Sequence, residues 1–185
     1  MLCLWHSAIF YFSTCVMIIK EKLGNLSTFD DKGRGIDRLP IEWFETSKRI
    51  LHKTTTSGKE VVLKLLKEGQ GLKQDDVLFA NESFLIVVEI LTCDAIVIAP
   101  KSNYEMACIS YEVGNKHLPL FYEDKHLLIP YDEPVHRMLE AAGYTIKRED
   151  RKLLHQLRTT VSPHTHSSSG ESLFAKILKL TTAHE

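Results

Sequence analysis

The sequence has almost no net charge: 23 Lys and Arg stand against 24 Asp and Glu over 185 residues, a formal −1. No overall field therefore draws the protein to nucleic acid or anionic lipid, although a local basic patch is not excluded. CxxC pairs are missing as well. The four cysteines, at 3, 15, 93 and 108, have the spacing neither of a zinc knuckle nor of a thioredoxin-like redox site, and they fit a reducing cytosol. Cys93 and Cys108 lie on apolar-patterned segments, where a small buried hydrophobe is the expected role. Residues 17–91 contain no Gly-rich phosphate loop, no Ser-His-Asp order and no HExxH helix. A leader with a positively charged start and a small-residue cleavage site is also lacking. Residues 2–19 are nearly uncharged and include Trp5, Ile9, Phe10, Tyr11 and Phe12, but His6, Ser7, Ser13 and Thr14 interrupt them. They fall short of the ~20 apolar residues of a membrane anchor. The reading adopted is that Met17 is the true start and that residues 1–16 are a doubtful extension.

What is present is 44% apolar residues, normal for a packed core in one domain or two small ones. Residues 17–91 alternate short apolar or β-branched runs with turn clusters, which predicts a small all-β domain. Residues 50–53 and 60–65 flank a Thr, Ser and Gly loop as one hairpin, and 76–80 and 84–90 form another around Asn81 and Glu82. The pattern then changes. Residues 94–99 read as a strand stopped by Pro100, and Ser102 or Asn103 caps a helix with Met106, Ile109 and Val113 on one face, ending near Gly114. Residues 118–122 and 126–129 suggest a hairpin across Glu123, Asp124 and Lys125. Asp132 caps a second helix with the stripe Val135, Met138, Leu139 and Ala142, which Gly143 closes, and 144–147 is a last strand. The order β, α, β, β, α, β over 92–150 predicts a ferredoxin-like domain and an α+β protein. Residues 151–185 are charged, then polar, with Pro163 and three serines, and are expected to be a flexible tail.

Nine histidines must be weighed singly. His52, His126 and His136 sit on patterned elements with no second ligand at chelating spacing, and His155 lies on a polar stretch; each reads as a packed or solvated imidazole. His164 and His166 form an HxH pair, which on an extended chain points both rings to one side and can grip a borderline metal; a plain polar tail is the equal alternative. His117 follows the first helix. A histidine there is more often structural, since it complements the last carbonyls and the helix dipole. One imidazole cannot hold a metal, but a twofold axis beside it would supply two, and tail histidines could add more.

The segment Tyr111, Glu112, Val113, Gly114, Asn115, Lys116, His117, Leu118, Pro119, Leu120 resembles the signature of UreE, the urease accessory nickel chaperone family. Residues 17–160 are similar to that family in order and length, and Ile41, Glu42, Trp43 and Lys48, Arg49, Ile50, Leu51 resemble its first domain. The resemblance implies a cytoplasmic homodimer that is not an enzyme and that binds Ni(II) at its interface for delivery to urease. His117 takes the role of the interface histidine, and His164 and His166 correspond loosely to the family's tail ligands. The first domain, 17–91, would contact partner proteins, and the working partners would be the GTPase UreG and the apo-urease activation complex, with no nucleic acid and no membrane involved. Where some members carry further ligands before the second helix, this chain has Tyr131 and Glu133, and it has no polyhistidine tail, which predicts few nickel ions and delivery over storage.

Imidazole also suits Zn(II) and Cu(II), so both are expected to compete for the same site. Ligation needs neutral rings, so affinity is expected to fall as pH drops through about 6.5, the ordinary histidine value. Two other classes compete with this reading. A ferredoxin-like fold can bind RNA through sheet aromatics such as Phe121 or Tyr122, although the RNP1 pattern is missing. A metal-dependent hydrolase could use His117 with Glu112 or Glu123, although one histidine is too small a ligand set.

Overall fold

The computed structural model describes residues 16–67 and 71–157. In its first half the strands are β1 (Met17–Ile19), β2 (Gly24–Asn25), β3 (Gly35–Ile41), β4 (Ile50–Thr54), β5 (Glu60–Lys64), β6 (Asp76–Ala80) and β7 (Phe84–Ile90), with a 3-10 helix over Trp43–Glu45. Both expected hairpins are present, β4 with β5 and β6 with β7. Gly58 supplies φ +86 in the first turn, and the Asn81 side chain accepts the Ser83 and Phe84 amides in the second. Local sequence gives no sign of the two parallel pairings, β1 on β5 and β3 on β7, because each joins strands more than forty residues apart in the chain. The result is a three-stranded sheet, β1-β5-β4, and a four-stranded sheet, β2-β6-β7-β3. Alternate residues of both, including Ile19, Leu51, Leu63, Leu39, Ile86 and Val88, form one core between them. Pro40 is tolerated in β3 because that strand is a sheet edge.

One buried carboxylate ties this core together. Asp37 is 7% exposed on β3 and accepts bonds from the Ser57 amide and hydroxyl, the Thr56 hydroxyl and the Lys59 ammonium at 2.8 Å. Burial alone would raise its pKa; Lys59 and the hydroxyl donors outweigh that and hold it down to about 2. Because the folded value is depressed, the stabilisation is present above the ordinary carboxyl range and is lost as pH falls toward 2. Asp37→Asn is expected to lose about 2 kcal/mol at pH 7, the size of a shift of nearly two units. Urea unfolding of both proteins between pH 7 and pH 2 checks this: the gap should close on acidification, and a pH-independent gap contradicts it.

The second half runs β8 (Thr92–Ile98), α1 (Asn103–Asn115), β9 (Phe121–Glu123), β10 (His126–Pro130), α2 (Glu133–Ala141) and β11 (Ile146–Lys152). The sheet order is β11-β8-β10-β9 with every neighbour antiparallel. Both helices lie on one face over Ile96, Ile98, Leu127 and Ile129, burying Ile109, Val113, Val135 and Leu139. The caps follow the residue types: Ser102 accepts the Glu105 amide and Asp132 the Val135 amide. The opposite face, Ala95, Val97, Phe121 and Leu128, packs against Trp43 of the 3-10 helix, whose ring meets Phe121 edge-on at 5.6 Å. Glu45 steadies that helix by taking the Lys53 ammonium at 2.5 Å and the Glu42 amide.

α1 ends at Asn115, near Gly114 as expected, but one other boundary differs. β11 extends to Lys152, and residues 155–157 then pair beside β9, so order runs past the expected tail boundary at 150. The charges Arg151 and Lys152, read as tail, belong to an edge strand: Arg151 reaches Glu123 and Glu149 and Lys152 pairs with Glu89, continuing from Arg148, which is bidentate to Asp94, and Leu153 beyond them is buried. Residues 1–15, and with them most of the doubtful extension, lie outside the described residues.

Candidate metal centre

The end of α1 shapes the surroundings of His117. The His117 amide donates to the Gly114 carbonyl at 2.9 Å and the Leu118 amide to the Val113 carbonyl at 3.4 Å, with His117 itself left-handed at φ +56. These are the two bonds of a Schellman helix end. α2 closes in the same way, Gly143 to Glu140 at 2.9 Å and Tyr144 to Leu139 at 3.2 Å, but its left-handed residue is a glycine at φ +80. The helix thus ends near Gly114 as expected, but the left-handed residue of its cap is His117, so histidine occupies the conformation usually given to glycine. For a residue with a Cβ this costs roughly 1–2 kcal/mol.

His117 is exposed, and its ring makes no hydrogen bond to any described residue. Among the described residues no three His, Cys, Asp or Glu side chains are grouped closely enough to hold a metal ion. A single described chain thus offers nickel one imidazole at this position. The other histidines have local roles or open surroundings. His52 is exposed on β4, the His126 Nδ1 lies 2.9 Å from the Asp124 carbonyl, and the His155 carbonyl accepts the Tyr122 amide. His136 lies beside Tyr131, with ring centroids 5.8 Å apart, while the carboxylates at that end of α2, Asp94 and Glu133, are engaged by Arg148 and Arg137. Burial, followed by the charges of Glu42, Asp94 and Asp150, pushes the Cys93 thiol up, which disfavours the thiolate a metal would need.

His164 and His166 lie outside the described residues, so of the three sequence-predicted ligands only His117 is placed. The point of exit is informative nonetheless. The Leu157 amide donates to the Leu120 carbonyl at 2.8 Å, and Gln156 bridges Phe121 in antiparallel sense, so residues 155–157 lie beside the segment that follows His117 in sequence. A run of charged residues hid this pairing; the apolar pair Leu153 and Leu154 was the signal that could have revealed it. A cleft of about 690 Å³ opens between Gln74, Phe121 and residues 153–157, and His117 is not among its lining residues.

Gly114 is the second feature that residue type alone left unread. It lies on the exposed face of α1, its backbone has no left-handed φ, and a Cβ there would meet nothing within 4 Å. Neither conformation nor packing inside the described chain calls for glycine, which costs a helix about 1 kcal/mol. The same face carries Tyr104, 81% exposed, Tyr111, 72% exposed, and Ala107.

Comparison with known proteins gives the chain a family. Residues 19–91 match the family model "UreE urease accessory protein, N-terminal domain" and residues 93–172 its C-terminal counterpart. The urease accessory protein UreE of Flavobacterium johnsoniae is 48% identical over 164 residues, covering 89% of this chain and 99% of that protein. UreE of Haemophilus influenzae is 44% identical over 145 residues, 76% of this chain and 78% of its own length. UreE of Helicobacter pylori is 36% identical over 161 residues, 85% and 95% of the two chains. With both halves matched in order and these relatives aligned along 78% to 99% of their own length, the chain belongs to the UreE urease accessory protein family, a family of metallochaperones in urease maturation and not of enzymes.

Proposed function

We propose that this protein captures Ni(II) between the His117 imidazoles of two subunits and delivers it, in the cytosol, to the apo-urease activation complex through the GTPase UreG. The observation that carries the reading is the exposed, left-handed His117 with no further ligand near it in its own described chain. Such a residue becomes a metal site only when a second copy faces it. The outward face of α1 supplies a surface for that copy: Tyr104 and Tyr111 offer apolar area, and Ala107 and Gly114 let a helix approach closely. Residues 92–150 form the ferredoxin-like metal and dimerisation unit in this proposal, 17–91 the partner-contacting unit, and 151–185 the histidine-bearing tail.

His164 and His166 serve as an auxiliary clamp. Leu157 is seven residues before His164, a reach of about 25 Å for extended chain, ample to return to His117 from a starting point beside Leu120. Two interface imidazoles plus one or two tail imidazoles leave positions on nickel open to water, and ligand exchange to an acceptor protein can proceed through them. The same donors accept Zn(II) or Cu(II), so selectivity comes from geometry and partners.

Of the two aromatics that the RNA-binding alternative could use, Phe121 is 3% exposed beneath Trp43 and Tyr122 is 39% exposed, so no pair of stacking rings shares an open sheet face there. A hydrolase would need a ligand cluster, and the described residues hold none. The proposal is tested by urease maturation in vitro. Nickel-loaded protein added to the apo-urease activation complex, with a weak chelator removing free metal, should activate urease, and the same protein carrying His117→Ala should not. Equal activation by both proteins contradicts the proposal.

A further inference from the structure

The residue types around His117 explain how it comes to be left-handed. Leu118 precedes Pro119, and a residue before proline is kept out of the α region by the proline ring. The helix cannot pass position 118, yet it runs through Gly114 and Asn115, so the chain reversal falls on His117. Leu118 then acts as an anchor. Its amide holds the Val113 carbonyl at 3.4 Å, and its half-buried side chain packs into the core beneath the helices that also contains Val113. The hydrophobic contact two residues beyond the helix is what a Schellman end uses to fix its exit direction. Without these restraints a residue with a Cβ would leave φ +56, and His117 would either continue the helix or relax to an extended backbone.

We infer that Leu118 and Pro119 are positioning residues for nickel capture: together they hold His117 in a left-handed backbone that presents its ring to a second subunit, and so set the affinity of the shared site. The inference rests on the reading of His117 as the nickel ligand. It treats the conformational cost at His117 as retained for the sake of the side chain, since glycine serves the same position in α2.

The test uses the full-length protein and nickel chloride in calorimetric titrations of Pro119→Ala, Leu118→Ala and Leu118→Met. The first two are expected to weaken binding about tenfold, as loss of a support behind a metal ligand commonly does, and Leu118→Met to keep wild-type affinity. Amide exchange at Leu118 should quicken in the two weakened variants, reporting loss of the bond to Val113. His117→Gly should raise the thermal midpoint by a few degrees, because it removes the left-handed penalty at an exposed site. Wild-type affinity in both Pro119→Ala and Leu118→Ala overturns the inference, and so does a lowered midpoint in His117→Gly. Wild-type binding in His117→Ala would instead overturn the assignment of the ligand itself.

Discussion

His117→Ala should lower Ni(II) affinity by at least about a hundredfold, the factor at the upper end for disturbing even a supporting residue of a metal site. The substitution removes a ligand from both subunits at once, so a symmetric site loses its two shared donors together. Stability should stay within about 0.5 kcal/mol of wild type, because the ring is exposed and bonded to no described residue. Calorimetric titration alongside thermal unfolding separates the two effects. Truncation before Ser162, which removes His164 and His166, should cost less. Complete loss on truncation would reverse the ranking of the two sites, and unchanged affinity in His117→Ala would remove His117 from the account.

Gly114→Leu should convert the proposed dimer to monomers and lose nickel affinity with it. The sign of the accompanying stability change makes the prediction discriminating. In an isolated chain the substitution helps, since leucine is the better helix former by nearly 1 kcal/mol and its Cβ enters open space. Only a neighbour packed against that face gives the added side chain something to strike. Sedimentation of the variant should therefore show monomers whose unfolding midpoint is no lower than that of a monomeric Tyr111→Glu control. A dimer of wild-type affinity would mean that the subunits meet elsewhere.

Much of the fold could be read from residue types acting locally. Asp132 and Gly143 bound α2 as capping chemistry requires, and the polar turn between β9 and β10 uses Asp124 and Lys125, both left-handed. Reading failed where a signal was true but acted at another position. Gly114 marked the end of α1 to within one residue, yet the left-handed residue of the cap is His117, and the backbone at Gly114 has no left-handed φ. The charges Arg151 and Lys152 were taken as the start of a tail, but their partners Glu123 and Glu89 lie far away in sequence. The parallel pairings of β1 and β3 were out of reach for the same reason. His117 was singled out through its family signature and stays a proposed ligand, whereas its left-handed backbone and the return of residues 155–157 beside Leu120 emerge only from the fold.

Anomalous diffraction from crystals of the nickel-loaded full-length protein tests the central claim most directly, because it locates each ion and its ligands together. The account predicts nickel on a molecular twofold axis, bound by His117 and by His117 of the partner subunit, with any further protein nitrogen coming from His164 or His166. Nickel held within one chain at His52, His126, His136 or His155, with His117 unligated, would contradict it.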